Sequence, residues 1–247
     1  MSGGIDTAMV LAAGLGTRMR PLTDDRPKAL VEVGGRALID HVLDRLIAAG
    51  VRRAVVNVHW FADRLEAHLG ARRDIEIVIS DEREALLETG GGLKKARDLL
   101  GEAPVFVANI DSVWIDRGDA LTALKAAWRP EAMDACLLLA PREGAIGFPG
   151  AGDFFLEDDG RLRFRGESAR APHAYMGVHI TRPDITEGVA EARFSLTPLW
   201  REAAARGRLH GVLMDGIWMH VGDPQARDEA EQRLAECGTG GHGAKGA

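Results

Sequence analysis

Met9-Val10-Leu11-Ala12-Ala13 runs unbroken into Gly14-Leu15-Gly16-Thr17-Arg18-Met19-Arg20-Pro21, and this junction constrains the fold more than any other stretch. An apolar run of this length reads as a buried strand, and the glycines that end it read as a tight turn. The same grammar then recurs. Leu38–Ile47 carries apolar positions at helical spacing and stops at Gly50, after which Ala54–Val58 is a second short strand. A helix over Phe61–Leu69, a strand over Ile75–Ile79, a glycine loop and helix over Gly90–Leu100 and a strand over Val105–Ala108 follow. A helix near Leu121–Trp128 and a strand over Ala135–Ala140 complete the series. Such alternation implies an α/β fold: a Rossmann-like, mostly parallel mixed sheet sandwiched by helices.

Beyond residue 140 the pattern changes. Residues 144–152 are glycine-rich, and Phe154–Leu156 and Leu162–Phe164 flank Asp158-Asp159-Gly160 as hairpin strands flank a turn. With a further strand over Ala174–Ile180, residues 144–182 read as a small accessory β region beside the sheet. Leu196–Ala205 and Gln225–Ala235 read as helices, with a strand at Trp218–Val221 between them. Residues 238–247 are small, polar and glycine-rich and are expected to stay mobile. The expectation is one domain over 1–237 with a tail over 238–247. A chain of 247 residues hides about 70–75% of its unfolded surface, so no disulfide or structural metal is needed to complete a core.

The net charge of −6, from 31 Lys+Arg against 37 Asp+Glu, argues against nonspecific nucleic-acid binding. No spanning segment or signal peptide is read, and Cys136 and Cys237 lack metal or redox spacing, which suits a reducing, cytoplasmic setting. Anionic ligands would need a specific receptor, and the first loop offers one. Without a Cβ at Gly14 and Gly16, backbone N–H groups can approach an anion closely. The plainer reading is a tight turn with no ligand. Arg18 and Arg20 beside the loop, and Lys28 after Pro27, tip the balance toward a phosphate. The loop has neither a Gly-Lys-Ser/Thr ending nor a complete Gly-x-Gly-x-x-Gly, so a P-loop kinase and a dinucleotide dehydrogenase are disfavoured.

A second loop, Glu88-Thr89-Gly90-Gly91-Gly92, could pack backbone against a nucleobase, or simply start a helix with Thr89 as its N-cap. Asp111 lies just past the strand Val105–Ala108, at the sheet edge where ligands of open α/β sheets sit, and is a candidate for holding Mg²⁺ against phosphates. A turn or cap role is its alternative. His220 and Asp223 follow the later strand, and Asp223 before Pro224 is better suited to capping a helix.

The run Leu11–Thr23 together with Arg26-Pro27-Lys28-Ala29-Leu30 resembles the signature of the sugar-1-phosphate nucleotidylyltransferases. Leu87–Gly92 and Gly152-Asp153-Phe154 are similar to one branch, the N-acetylmuramate α-1-phosphate uridylyltransferases of cell-wall recycling. The resemblance covers about residues 7–236 and implies the nucleotide-diphospho-sugar transferase fold. It implies that Leu11, Ala12, Ala13, Gly14 and Gly16 wrap the nucleotide, with Ala13 and Gly14 near the base and ribose and the Gly90–Gly92 backbone lining the base, and that Thr17, Thr89 and Asn109 also bind the nucleotide. Arg18 would face the β- and γ-phosphates, Lys28 the phosphates between nucleotide and sugar, and Asp111 the catalytic Mg²⁺. Asp153, Tyr175, Gly177 and Glu167 would meet the sugar.

The family's second metal-binding aspartate is replaced here by His220. Three outcomes stay open: His220 holds a metal-bound water or phosphate, Asp223 reaches the metal, or the ion relies on Asp111 and substrate phosphates. The third is favoured, and an imidazole at this place admits Mn²⁺ beside Mg²⁺. The resemblance thus implies transfer of a uridylyl group from UTP to N-acetylmuramate α-1-phosphate by a monomer. A guanylyl- or thymidylyltransferase on mannose-, heptose- or glucose-1-phosphate is the near alternative. A noncatalytic nucleotide-sugar-binding subunit is the distant one.

Overall fold

The structure is a computed structural model, and it describes residues 4–239. The first third of the chain forms β1 (Thr7–Leu11), the ribbon β2 (Glu32–Val33) and β3 (Arg36–Ala37), α1 (Leu38–Ala48), β4 (Arg53–Val58), α2 (Ala62–Leu69) and β5 (Glu76–Asp81). The middle adds α3 (Glu88–Lys95), α4 (Arg97–Leu100), β6 (Val105–Asn109), β7 (Ser112–Asp116), α5 (Ala120–Ala127) and β8 (Ala135–Pro141). The last third holds β9 (Phe154–Leu156), β10 (Leu162–Phe164), β11 (His173–Thr181), α6 (Thr197–Ala205), β12 (Leu209–Leu213), β13 (Gly216–His220) and α7 (Pro224–Thr239).

Among the described residues nine strands make one mixed sheet, whose main path runs β10-β9-β11-β6-β1-β4-β5, with β8 on β11 and β12 on β8. β6, β1, β4 and β5 are mutually parallel, while β11 runs antiparallel to both β6 and β8. Both sheet faces are apolar, and strict alternation divides them. Val10, Val56 and Phe106 point into a core with α1, α2, α5 and α7, whereas Met9, Val55 and Val107 point into a second core with α3, α4 and α6. That is the signature of a sheet buried on both sides. Helix α1 contributes Leu38, Ile39, Val42, Leu43 and Leu46, all buried, as its spacing predicts.

The strands of the accessory β region, β9, β10 and β11, are hydrogen-bonded into the main sheet. The β9–β10 hairpin joins β11 at His173, and β11 is an interior strand between β6 and β8. Three pairings escape the sequence reading: the β2–β3 ribbon, β12, and β7, which pairs with β13 in a separate two-stranded ribbon. Helix α7 continues to Thr239, past the expected stop at Ala235. The rest of the tail expected over 238–247 lies, from residue 240, outside the described residues.

Candidate active site

Parallel pairing brings the carboxyl ends of β1, β4 and β6 to one edge of the sheet, and the loops that leave them form the site. Asn57, one residue before the end of β4, is buried and ties this edge together. Its Oδ1 accepts from the N–H groups of Ala12 (2.6 Å) and Ala13 (3.2 Å), and its Nδ2 donates to Glu82 Oε1 at 2.8 Å. Glu82 has no exposed surface, and its other oxygen accepts from Leu87 N–H at 3.3 Å. Burial pushes its carboxyl above the usual range, with Asn57 and the Leu87 N–H opposing. Neither residue is legible in sequence except as a polar interruption of an apolar strand or a lone acid just past one.

With Ala12 and Ala13 committed to Asn57, the N–H groups of Gly14, Leu15 and Gly16, like those of Thr17 and Arg18 after them, have no acceptor among the described residues. A run of successive free donors suits an anion. Gly16 must be glycine: its φ is +63°, and a Cβ there would stand 3.0 Å from Lys28 Cβ and from Thr23 Cγ2. Thr23 Oγ1 donates to Gly16 O at 2.8 Å and closes the turn. A Cβ on Gly14, by contrast, would meet no atom within 4 Å. The space in front of it is open to a ligand.

The tight turn at Gly16 lets Lys28 reach across the loop, where Nζ sits 2.8 Å from Asp111 Oδ2. Asp111 follows the last residue of β6 by two. The β7–β13 ribbon places His220 opposite Ser112, and Val221 N–H donates to Asp111 O at 2.9 Å, so His220 Nε2 comes to 3.5 Å from Asp111 Oδ2. Its Nδ1 faces the Gly147 carbonyl at 3.2 Å. Burial alone would raise the Asp111 carboxyl, but His220 and Lys28 together hold it well below the usual carboxylate range. Arg18 is exposed, and its guanidinium makes no hydrogen bond or ion pair with the described residues.

Arg18, Lys28 and Asp111 line one cavity of about 360 Å³, and His220 is not part of its lining. Leu11, Ala12, Ala13, Gly14, Gly16, Thr17, Arg18, Lys28, Thr89, Asn109 and Asp111 all reach it, with Asn57, Glu82 and Glu88 beside them. Gly90 does not. Residues 88–92 form the first turns of α3 rather than a loop ahead of it, and Thr89 is not an N-cap: its hydroxyl accepts from Leu196 N–H at 3.0 Å. The N–H groups of Gly90 and Gly91 are both taken by Phe194 O, at 2.9 and 3.1 Å. Added Cβ atoms would run into the Phe194 ring (2.4 Å), Ala192 O (2.2 Å) and Glu82 Oε1 (2.9 Å) at Gly90, Gly91 and Gly92 respectively. The three glycines let α3 press against its own protein.

The candidate sugar residues divide. Asp153 and Tyr175 line a second cavity, of about 290 Å³. Asp153 Oδ2 accepts from Tyr175 N–H at 2.9 Å, and burial raises its carboxyl against the pull of that N–H and of Arg165. Gly177 lies between the cavities, where a Cβ would sit 3.2 Å from Asn109 Cβ. Glu167 is exposed on the loop after β10 and lines neither cavity. Asp223 caps α7, accepting from Ala226 N–H at 2.9 Å, so its carboxylate is committed to the helix start. A larger cavity, about 1070 Å³, lies away from this edge, and its arginines are paired with Asp134 and Asp184.

No group of three or more His, Cys, Asp or Glu among the described residues could by itself enclose a metal. One half-buried carboxylate at the wall of the first cavity nevertheless fits Mg²⁺, which keeps hard oxygen ligands and draws most of them from phosphates and water. Asp111 supplies such a donor. The imidazole of His220 is a poor ligand for Mg²⁺ and faces the same carboxylate oxygen as Lys28 does.

The MobA-like NTP transferase domain family matches residues 8–150. The chain is 61% identical to the N-acetylmuramate alpha-1-phosphate uridylyltransferase of Caulobacter vibrioides over 96% of this chain and 100% of that protein. It is 36% identical to the protein of the same name from Neisseria meningitidis, over 91% of this chain and 96% of the other. Among solved structures, the inositol-1-phosphate CTP transferase of T. maritima superposes with a TM-score of 0.75 over 95% of this chain and 98% of that one, at 19% identity. That likeness concerns the fold.

Proposed function

This chain belongs to the sugar-nucleotidyltransferase family, and from that premise we propose that it transfers a uridylyl group from UTP to N-acetylmuramate α-1-phosphate, releasing pyrophosphate. The observation that carries the reading is the 61% identity to a uridylyltransferase of that name across 96% of the chain. The cavity supports it chemically, with a run of free N–H groups, an unpaired arginine and a lysine–aspartate pair at one sheet edge.

In this reading the N–H groups of Gly14, Leu15 and Gly16 receive phosphate oxygens, and Arg18 binds the departing β- and γ-phosphates. Lys28 turns from Asp111 toward the α-phosphate and the sugar phosphate, placing a compact positive charge where negative charge gathers. Asp111 is the carboxylate that would hold Mg²⁺, with His220 keeping that carboxylate in place. Such an ion supplies charge neutralisation and orientation of the phosphate oxygens. The sugar phosphate is already ionised at neutral pH, so no side chain has to abstract a proton, and rate enhancement comes from positioning and electrostatics. Asp153, Tyr175 and Gly177 face the sugar, and the single domain over 1–237 acts as a monomer in the cytoplasm.

Pyrophosphate release across a panel of nucleoside triphosphates and sugar 1-phosphates tests the proposal. Release is expected with UTP and N-acetylmuramate α-1-phosphate at a kcat/KM at least tenfold above every other pair. Preference for GTP or dTTP, or for mannose or glucose 1-phosphate, would overturn it.

A further inference from the structure

The second cavity holds two arginines that the reaction above does not use. Arg201, on α6, lays its guanidinium on the Phe164 ring, 4.5 Å from the centroid, and forms no hydrogen bond or ion pair with the described residues. Arg165 is fixed by two bonds, Nε to Gly152 O at 3.1 Å and Nη1 to Ser168 O at 2.8 Å, which leave Nη2 free. The acid on this wall, Asp153, already accepts from Tyr175 N–H, and its charge is offset by Arg165. The lining therefore carries one surplus positive charge, on a side chain held flat by an aromatic ring.

The position of this cavity matters as much as its charge. β11 runs antiparallel to β6, so the path from Gly177, opposite Asn109, to Tyr175 leads outward past the carboxyl end of β6. A sugar whose 1-phosphate lies at Lys28 and Asp111 would cross Gly177 and extend toward Asp153, Arg165 and Arg201. N-acetylmuramate differs from N-acetylglucosamine in one group, a lactyl ether that ends in a carboxylate. Resting on the function proposed above, we infer that Arg201, assisted by Arg165, receives that carboxylate and selects for acidic sugar phosphates. A guanidinium fork matches a carboxylate in geometry as well as in charge, which a lysine cannot reproduce.

Calorimetric binding of N-acetylmuramate α-1-phosphate and N-acetylglucosamine α-1-phosphate to the full chain separates this inference from catalysis. Wild-type protein should bind the acidic sugar about 10- to 100-fold more tightly, the range expected of a charge-assisted bidentate pair. Arg201→Ala should abolish that preference by weakening the acidic sugar alone, Arg201→Lys should restore part of it, and thermal unfolding should confirm that both variants fold. Equal weakening of both sugars, or a preference that survives Arg201→Ala, overturns the inference, as does a wild type that binds the two alike. If the wild type discriminates through Arg201 but releases no pyrophosphate with UTP, the subsite stands and the proposed reaction fails.

Discussion

Asn57 links three chain segments through one side chain, and replacing it by alanine measures how much the nucleotide loop depends on that link. The substitution deletes the bonds to Ala12 N–H, Ala13 N–H and Glu82 Oε1. Each is worth about 1 kcal/mol net, and a buried polar atom left without a partner costs roughly 1–3 kcal/mol more. The two N–H groups border a cavity that water can enter, whereas Glu82 is wholly enclosed. The loss should therefore total about 2–4 kcal/mol, most of it at Glu82, lowering Tm by roughly 5–15 °C for a domain of this size. A purely structural loss would stop there. If Asn57 also positions the loop, kcat/KM for UTP should fall about 10- to 100-fold even in the fully folded variant, because small misplacements of binding groups are costly. Asn57→Asp supplies the control: it keeps the acceptor for Ala12 and Ala13 but sets a carboxylate against Glu82, and Glu82→Gln in the same chain should rescue it. A Tm within about 2 °C of wild type and an unchanged KM for UTP in Asn57→Ala would show that the nucleotide loop does not depend on this side chain.

Other consequences follow from the same geometry. Gly91→Ala should cost about 2–4 kcal/mol, because its Cβ would lie 2.2 Å from Ala192 O, whereas Gly14→Ala, with nothing within 4 Å, should leave Tm unchanged and raise KM for UTP. Burial raises the Glu82 carboxyl above its ordinary value of 4.5, so the stability contributed by its neutral form is present below that pH and lost as pH rises through the raised value. Glu82→Gln should flatten that part of the Tm profile above pH 4.5, and an unaltered profile would show that Glu82 is not its source. Cys136 is buried with its thiol pushed up to about 12, and Cys237 is exposed. A thiol reagent at pH 8 should label Cys237 in the native protein and both cysteines after denaturation.

The parts of this account that sequence carries are those written in contiguous residues. Met9–Leu11 before Gly14 and Gly16, the Asp158-Asp159-Gly160 turn, and Asp111 just beyond an apolar strand are local signals, and the structure has each element there. What sequence conceals depends on partners far along the chain. Gly90 and Gly91 look like part of a ligand loop, yet their lack of side chains is explained by Phe194 and Ala192, about a hundred positions away, and that of Gly92 by Glu82 and Asn57. Asn57 is one polar residue in an apolar strand, and nothing in its neighbourhood announces that it holds the turn after β1. β12 carries His210 and Gly211 in five residues and has no readable period, and its place in the sheet comes from pairing with β8.

In the proposed reaction, uridylyl transfer to N-acetylmuramate α-1-phosphate occurs at the edge where Lys28 meets Asp111. Phosphorus NMR of the full chain with both substrates and Mg²⁺, run beside Lys28→Met, tests it most directly. Wild type should convert the two substrates into a nucleotide sugar and pyrophosphate, and the folded variant should lose at least about 100-fold in rate, the scale expected when a positioned charge is removed from a transfer site. A folded wild type that forms no nucleotide sugar, or a Lys28→Met variant as fast as the wild type, would rule out transfer at this edge.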